Sequence, residues 1–297
     1  MSFEYPRIAL IGPGAIGTTI AAALHEVGRT PTICGRTAYE QLSLRFDGGS
    51  IVVPGPVQTD PAQIKHSFDL VFVAVKTTQI AATAPWLSAL CDAKTVVCVL
   101  QNGVEQNELF APYLSSEQVL PSVVWFPAQR EPDASVWLRR AARLTLPDTP
   151  AAQTVVTALQ GTRCAVDTTA DFTSVAWRKL LVNAVAGLMV LTGRRAGMFS
   201  RPDIADLGLA YLQECLAVAR AEGATLGDEV PQEILDGFQK APADMGTSIL
   251  ADRQAGQPLE WDIRNGVVQR RGRVHGIATP ISDFVVPLLA AGSEGPG

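Results

Sequence analysis

Short apolar runs alternate with helical stretches along the first half of the chain. Arg7–Ile11, Leu70–Val75 and Thr95–Leu100 are nearly continuous in apolar residues. Such runs are typical of strands that are buried on both faces of a parallel sheet. Gly14–Val27, which is rich in alanine, predicts a helix directly after the first strand. This alternation of strand and helix predicts an α/β fold with a doubly wound parallel sheet.

Weaker patterns complete this half of the chain. They predict strands at Pro31–Cys34, Val119–Phe126, Arg143–Leu146 and Gly161–Val166, a hairpin at Asp47–Val57, and helices at Gln79–Leu90 and Ala151–Leu159. Proline lacks a backbone N–H and clashes with the preceding helical turn. Pro85 is therefore expected to kink or break the helix that contains it.

The strand patterns stop at Asp171. Asp171 and Thr173 carry side-chain oxygens that can cap a long apolar helix, which is expected to run to about Leu191. Further helices are predicted at Asp203–Glu222, Pro231–Lys240, Asp244–Ala255, Leu259–Arg271 and Pro280–Ala291. The predicted organisation is two domains, with the parallel sheet in residues 1–168 and an all-helical domain in residues 169–297.

Composition and charge argue against several classes of protein. Hydrophobic residues make up 47% of the 297 positions, which indicates a folded chain. The net charge of −5 disfavours nucleic-acid binding, which needs a basic surface. No apolar run of about 18 residues and no basic segment before a long apolar stretch is present, so we expect a cytoplasmic protein without a membrane anchor. The five scattered cysteines and three isolated histidines predict neither disulfides nor a metal site.

A glycine-rich segment joins the first strand to the first helix. It reads Gly12-Pro13-Gly14-Ala15-Ile16-Gly17 and fits the pattern G-x-G-x-x-G. In this pattern Gly12 allows a tight turn, Gly14 lets the backbone approach a pyrophosphate, and Gly17 lets helix and strand pack closely. The helix N-terminus adds N–H donors and partial positive charge. The segment predicts dinucleotide binding in a Rossmann domain, with a mere tight turn as the alternative.

The end of the second strand distinguishes between the two nicotinamide dinucleotides. An NAD site usually places an acidic residue there to bond the ribose 2′-hydroxyl, but Arg36 stands at this position. A guanidinium suits the dianionic 2′-phosphate by charge and by geometry. Arg36 could also be a solvated surface arginine, but the missing carboxylate counts independently. We therefore predict NADP(H).

Lys179 and Asn183 are four residues apart in the long apolar helix, so they share one face of it. Their neighbours are apolar, and a lysine there is close to the limit of tolerable burial. From helical geometry alone, Lys179 could simply extend its amine to water from a core helix.

Several segments occur together in a specific order. After the glycine-rich segment come Val75-Lys76, Leu100-Gln101-Asn102-Gly103, Trp177-Arg178-Lys179-Leu180-Leu181-Val182-Asn183, Ser248-Ile249-Leu250-Ala251-Asp252 and Glu260-Trp261-Asp262-Ile263-Arg264-Asn265-Gly266. With these segments, between residue 8 and about residue 282, the chain resembles the ketopantoate reductase family. The segment W-R-K-L-x-x-N is the most specific of them.

The resemblance implies roles for individual residues. Lys179 would be the general acid that protonates the carbonyl oxygen as hydride arrives, and Glu260 would orient Lys179 and the substrate hydroxyl. Glu260 would also belong to the residues that bind the cofactor. Asn102 would contact both the nicotinamide ribose and the substrate, while Asn183 and Ser248 would bind substrate oxygens.

The resemblance also implies that Lys76 and Gln79 lie near the cofactor. Each residue has an ordinary alternative: Asn102-Gly103 is a good turn dipeptide, Ser248 could be a surface serine, and Glu260 could cap its helix.

Two positions depart from the family pattern. Family members commonly carry a second asparagine four residues after the helix asparagine, and here that residue is Gly187. They also tend to place an asparagine three residues before the serine, and here it is Met245. Fewer amides predict a less polar substrate pocket and weaker discrimination for hydroxyl groups. Arg194 and Arg195 could anchor a carboxylate, although a solvated helix end is the simpler interpretation.

The leading hypothesis is NADPH-dependent reduction of a 2-oxo acid, with ketopantoate to pantoate as the reaction that the resemblance implies. One alternative is a reductase of the same fold for a less polar 2-oxo acid. Another is a non-catalytic protein that senses NADP(H). The apolar helix face within Val182–Leu191 favours a homodimer, although the sequence does not fix the oligomeric state.

Overall fold

A computed structural model describes residues 5–294, which form two compact units. Unit 1 contains residues 5–101 and 105–172, and unit 2 contains residues 102–104 and 173–294. The short segment 102–104 therefore leaves the α/β unit and joins the helical one. The predicted boundary between residues 168 and 169 stays a prediction.

Unit 1 contains twelve strands and four α-helices. The strands are β1 (Ile8–Ile11), β2 (Thr32–Cys34), β3 (Gln41–Phe46), β4 (Gly49–Pro54), β5 (Leu70–Val73), β6 (Val96–Val99), β7 (Val119–Pro121), β8 (Val123–Val124), β9 (Ala128–Arg130), β10 (Val136–Leu138), β11 (Ala142–Pro147) and β12 (Cys164–Thr169). The helices are α1 (Ala15–Glu26), α2 (Ala84–Leu90), α3 (Gln106–Phe110) and α4 (Pro150–Leu159). Three short 3-10 turns lie at Pro61–Gln63, Thr77–Gln79 and Ala81–Thr83.

The main sheet of unit 1 is parallel and has the strand order β2-β1-β5-β6-β7. All residues of β1 and β5 are buried, as their continuous apolar sequences predict. The order reverses direction beside β1, and ligands of open α/β sheets bind at the carboxyl ends of the strands near such a reversal. The predicted α/β fold with a doubly wound parallel sheet is confirmed.

Two smaller sheets were only partly predicted. Their strand orders are β4-β3-β10-β9 and β12-β11-β8. The single strand predicted at Val119–Phe126 is wrong, because the chain divides there between β7 in the main sheet and β8 in a smaller one. The hairpin predicted at Asp47–Val57 is shifted, because its first strand is Gln41–Phe46, whose residues alternate between exposed and buried. The short strands β9 and β10 were missed.

The helix predicted at Gln79–Leu90 is also corrected. Two 3-10 turns occupy its first part, and α2 begins only at Ala84. Pro85 lies in the first turn of α2, where a missing N–H costs nothing because no partner is available there. The proline therefore starts a helix instead of kinking one.

All the regular secondary structure within residues 173–294 of unit 2 is helical. The helices are α5 (Phe172–Val185), α6 (Gly187–Thr192), α7 (Pro202–Ala221), α8 (Val230–Lys240), α9 (Ser248–Gln254), α10 (Val267–His275) and α11 (Pro280–Ser293), with a 3-10 turn at Ala196–Ser200 and a π-helical turn at Asp262–Gly266. The helix predicted at Asp244–Ala255 is shorter than expected. The one predicted at Leu259–Arg271 begins later, with the π-helical turn, and continues through α10 to His275. The core of this unit contains Trp177, Tyr211 and Phe199, all almost fully buried.

The stretch Phe172–Thr192 is long and apolar enough to cross a membrane by length and composition, with a mean hydropathy of 1.4 over its best window. The sequence analysis expected no such stretch. However, 67% of that window is buried inside the protein, which is the behaviour of a core helix. Composition alone is weak support for a membrane span here.

Candidate active site

The glycine-rich segment of unit 1 forms a tight loop between β1 and α1. Gly12 has a φ of +94°, and its N–H donates to the Cys34 carbonyl oxygen at 2.9 Å. A Cβ at Gly17 would overlap the Gly12 carbonyl oxygen, whereas a Cβ at Gly14 would meet no atom within 4 Å. Position 17 thus requires glycine so that helix α1 can pack against the loop, whereas the space next to Gly14 is open to a ligand. This geometry fits a pyrophosphate held on the N-terminus of α1.

Two arginines flank this loop. Arg36 is exposed and directly follows β2 and Gly35. Arg130 donates from Nη2 to the Pro13 carbonyl oxygen at 2.6 Å, and its guanidinium lies 5.5 Å from the centre of the Tyr39 ring. Arg130 fixes the loop backbone from β9. Arg130 is not among the residues predicted from the sequence, because β9, the strand that carries it, is only three residues long and has no local pattern.

Lys76 and Gln79 follow β5, the strand next to β1. Both side chains are half-buried, and the Gln79 N–H donates to the Lys76 carbonyl oxygen at 2.8 Å. The side-chain amide of Gln101, after β6, donates to the Val75 carbonyl oxygen at 2.7 Å. Polar residues thus follow adjacent parallel strands at the carboxyl edge of the sheet.

In unit 2, α5 carries Lys179 and Asn183 on one face. The buried Asn183 donates from Nδ2 to Asn102 Oδ1 at 3.3 Å. Asn102 belongs to the short segment 102–104, which is part of unit 2. Asn102 and Asn183 are distant in sequence, but the fold of unit 2 brings their side-chain amides into hydrogen-bonding contact. Both amides could therefore contribute to one polar site.

Lys179 is half-buried among the apolar residues of α5, including Ala176 and Leu180. Burial and, to a smaller extent, the nearby positive charge of Arg264 together lower the pKa of Lys179 to about 8. A lysine with a pKa in this range can donate a proton near neutral pH more easily than an ordinary lysine.

A second cluster in unit 2 centres on Arg264, in the π-helical turn. Its Nη2 donates to Ser248 Oγ at 3.1 Å and lies 3.7 Å from Glu260 Oε2. Arg264 is 3% exposed and Glu260 is 8% exposed, so this ion pair is buried. Three residues with predicted site roles, Lys179, Ser248 and Glu260, therefore all interact with Arg264.

No group of three or more His, Cys, Asp or Glu side chains within residues 5–294 is arranged to hold a metal ion. All five cysteines are free thiols.

Comparison with known proteins places both units in one family. The models described as "Ketopantoate reductase PanE/ApbA" and "Ketopantoate reductase PanE/ApbA C terminal" match residues 8–151 and 171–293. The chain belongs to the ketopantoate reductase family. The 2-dehydropantoate 2-reductase of Mycobacterium tuberculosis (strain CDC 1551 / Oshkosh) is 55% identical over 98% of this chain and 99% of its own length.

Other family members agree. The 2-dehydropantoate 2-reductase of Caulobacter vibrioides is 37% identical over 96% of this chain and 98% of its own length. A solved structure of a dimeric ketopantoate reductase from Staphylococcus aureus is 29% identical, with a TM-score of 0.87 over 98% of this chain and 100% of that one.

Gly187, the first departure from the pattern of ketopantoate reductases, has a structural cause within unit 2. A Cβ at this position would lie 2.7 Å from Asn265 Nδ2 and 3.1 Å from Leu289 Cδ1. The fully buried Asn265 amide donates to the Ala184 carbonyl oxygen at 2.9 Å and to the Tyr211 hydroxyl at 3.0 Å. Any side chain at position 187 would displace this amide.

The second departure, Met245, is half-buried and packs against the core of unit 2. Its thioether has no strong hydrogen-bonding group, so this position does not replace the amide of the family pattern.

Arg194 and Arg195 are both exposed at the end of α6. Arg195 donates from Nη1 to the Asp244 carbonyl oxygen at 2.8 Å, which holds the loop before α9. This agrees with the solvated helix end, the simpler of the two interpretations.

Proposed function

We propose that this chain is an NADPH-dependent reductase that converts 2-dehydropantoate to pantoate, a step of pantothenate biosynthesis. The observation that carries the proposal is the half-buried Lys179 on the same face of α5 as Asn183, whose side-chain amide donates to Asn102 Oδ1 at 3.3 Å. The names of the 55% and 37% identical relatives supply the substrate.

Most of the cofactor-binding roles in this proposal belong to unit 1, and two belong to Asn102 and Glu260 of unit 2. Gly12, Pro13, Gly14, Ala15, Ile16 and Gly17 would hold the pyrophosphate of NADPH through backbone N–H groups. Arg36 would bind the 2′-phosphate, with Lys76, Gln79, Asn102 and Glu260 near the nicotinamide half. When bound, NADPH supplies the hydride that adds to the keto carbon.

The residues of unit 2 would handle the proton and the substrate oxygens. Lys179 would donate a proton from Nζ to the carbonyl oxygen, so that hydride and proton together convert C=O to CH–OH. Its ammonium would also stabilise the negative charge that develops on that oxygen. Asn102, Asn183 and Ser248 would bind substrate oxygens, and Glu260 would orient the lysine and the substrate hydroxyl.

The direct test is NADPH oxidation at 340 nm with 2-dehydropantoate, with parallel traces for NADH and for no substrate. We expect turnover at about 1–1,000 per second, with NADPH strongly preferred. In Lys179→Met we expect kcat to fall about 10²- to 10⁴-fold while NADPH affinity stays within twofold. Wild-type turnover in Lys179→Met would remove the lysine from the mechanism.

A second candidate is the reduction of a less polar 2-oxo acid by the same residues. Met245 favours it, because an apolar thioether stands where many family members have an amide. A panel of 2-oxo acids with branched or aromatic side chains distinguishes the candidates by kcat/KM. A higher value for one of these acids than for 2-dehydropantoate would select the second function.

A cytoplasmic homodimer is the assembly that we propose. The Staphylococcus aureus relative is described as dimeric. Light scattering should give twice the chain mass of 31.6 kDa, whereas the monomer mass would exclude the dimer.

A further inference from the structure

The geometry points to Arg264 as the residue that binds the carboxylate of the substrate. This inference rests on the proposed function, since it assumes a 2-oxo acid, and it adds a residue to which the resemblance gives no role. Arg264 lies inside the segment Glu260–Gly266, and its sequence position alone does not indicate a role in binding.

The position of Arg264 supports this role. Its guanidinium touches Ser248 Oγ at 3.1 Å and lies 3.7 Å from Glu260 Oε2. Ser248 and Glu260 are both assigned to the substrate by the family resemblance. The positive charge of Arg264 also reaches Lys179, the proposed proton donor. An anionic group held here would be close to the reacting carbonyl, as the adjacent carboxylate of a 2-oxo acid must be.

The guanidinium has hydrogen-bonding capacity beyond these contacts. The buried Nε of Arg264 has no hydrogen-bond partner within residues 5–294. Burying such a donor without a partner is unfavourable. A carboxylate can accept from Nε and from one Nη together, which is the paired geometry that a planar guanidinium favours.

Two carboxylates and one further cation act on Arg264. Glu260 is buried and its Oε2 lies 3.7 Å from Arg264 Nη2. Asp252 also attracts the guanidinium but is half-exposed, so water screens it. Lys179 is the second cation, and the positive charges of Arg264 and Lys179 repel each other. A substrate carboxylate would lower the repulsion between the two cations.

A purely structural role for Arg264 is the competing explanation. A buried ion pair with Glu260 is a weak source of stability, because desolvation offsets its attraction. The two roles differ in what they predict for substrates. A structural role affects all substrates equally, whereas a carboxylate anchor affects only those that carry a carboxylate.

The test compares 2-dehydropantoate with its carboxamide in wild type, Arg264→Met and Arg264→Lys. Arg270→Met serves as the matched control, since Arg270 is an exposed arginine one and a half turns further along, paired with Asp262. We expect wild type to prefer the acid by about 10²-fold in kcat/KM. In Arg264→Met, the acid should lose about 10²-fold, mostly through KM, because the carboxylate is bound alike before and during reaction.

The carboxamide should change less than about threefold in Arg264→Met, which removes most of the preference for the acid. Arg264→Lys keeps the positive charge but cannot form paired hydrogen bonds from a planar guanidinium. Its kcat/KM for the acid should lie between those of wild type and Arg264→Met, and it remains informative if Arg264→Met folds poorly. Arg270→Met should match wild type.

Three results would overturn the inference. Equal losses for acid and carboxamide would make Arg264 structural, and so would an unchanged KM for the acid in a folded Arg264→Met. Equal kcat/KM values for the carboxamide and the acid in wild type would show that no residue binds the carboxylate specifically. These outcomes leave the proposed function intact, because it requires only turnover of the acid by wild type. No turnover of any 2-oxo acid by wild type would overturn both.

Discussion

The two units of this chain build their proposed sites in opposite ways. The proposed site of unit 1 is the backbone of six consecutive residues, Gly12–Gly17, whose geometry is dictated by where glycine is required. The proposed site of unit 2 consists of side chains from separate segments, among them Asn102, Lys179 and Arg264. The first kind of site can be recognised locally. The second exists only after the helices have packed.

The two proposed sites should therefore respond differently to substitution. A change at the edge of the backbone loop should alter affinity for one cofactor while the fold persists. A change within the packed helices should disturb stability together with function, because buried polar groups there hold one another.

Arg36→Ala should raise the KM for NADPH about 10- to 100-fold, because a charged hydrogen bond contributes about 1.5–3 kcal/mol. The KM for NADH, which lacks the 2′-phosphate, should change little. Steady-state kinetics with both cofactors measures this. Arg140→Ala, which removes another exposed arginine of unit 1, is the matched control. An equal effect on both cofactors would show that Arg36 does not recognise the phosphate.

Gly187→Asn, which restores the residue common in the family, should destabilise the protein by about 1–3 kcal/mol. The new side chain would collide with the Asn265 amide, 2.7 Å from the Cβ position. Urea unfolding of the variant and wild type measures this. Met245→Asn, the other restoration, should cost only about 0.5 kcal/mol because Met245 is half-buried at the margin of the core. Equal stability of both variants would mean that Gly187 is not required by packing.

Much of unit 1 was predictable from sequence for a physical reason. Strands buried on both faces, such as β1 and β5, must be continuously apolar, and that pattern is visible without knowledge of their partners. β9 and β10 are only three residues each. Such short strands owe their form to pairing with β3 and with each other, which no local pattern reveals.

In unit 2, the existence of the helices was predictable but their interruptions were not. The break at Ala186 and the π-helical turn at Asp262–Gly266 depend on tertiary packing, including that of Asn265. The candidate residues Lys179, Asn183 and Ser248 came from family resemblance. Arg264 could have been found only from its spacing of four from Glu260 on a helical turn, a signal shared by many surface ion pairs.

The central claim is that Lys179 of unit 2 is the proton donor, and the pH dependence of kcat/KM tests it most directly. This parameter reports the ionisation of the free enzyme. Because a donor must be protonated, kcat/KM should be level below the pKa of about 8 and fall tenfold per pH unit above it. Removing a nearby cation by Arg264→Met should move this fall to higher pH. A fall only near the ordinary lysine value of 10.5, in wild type, would contradict the account.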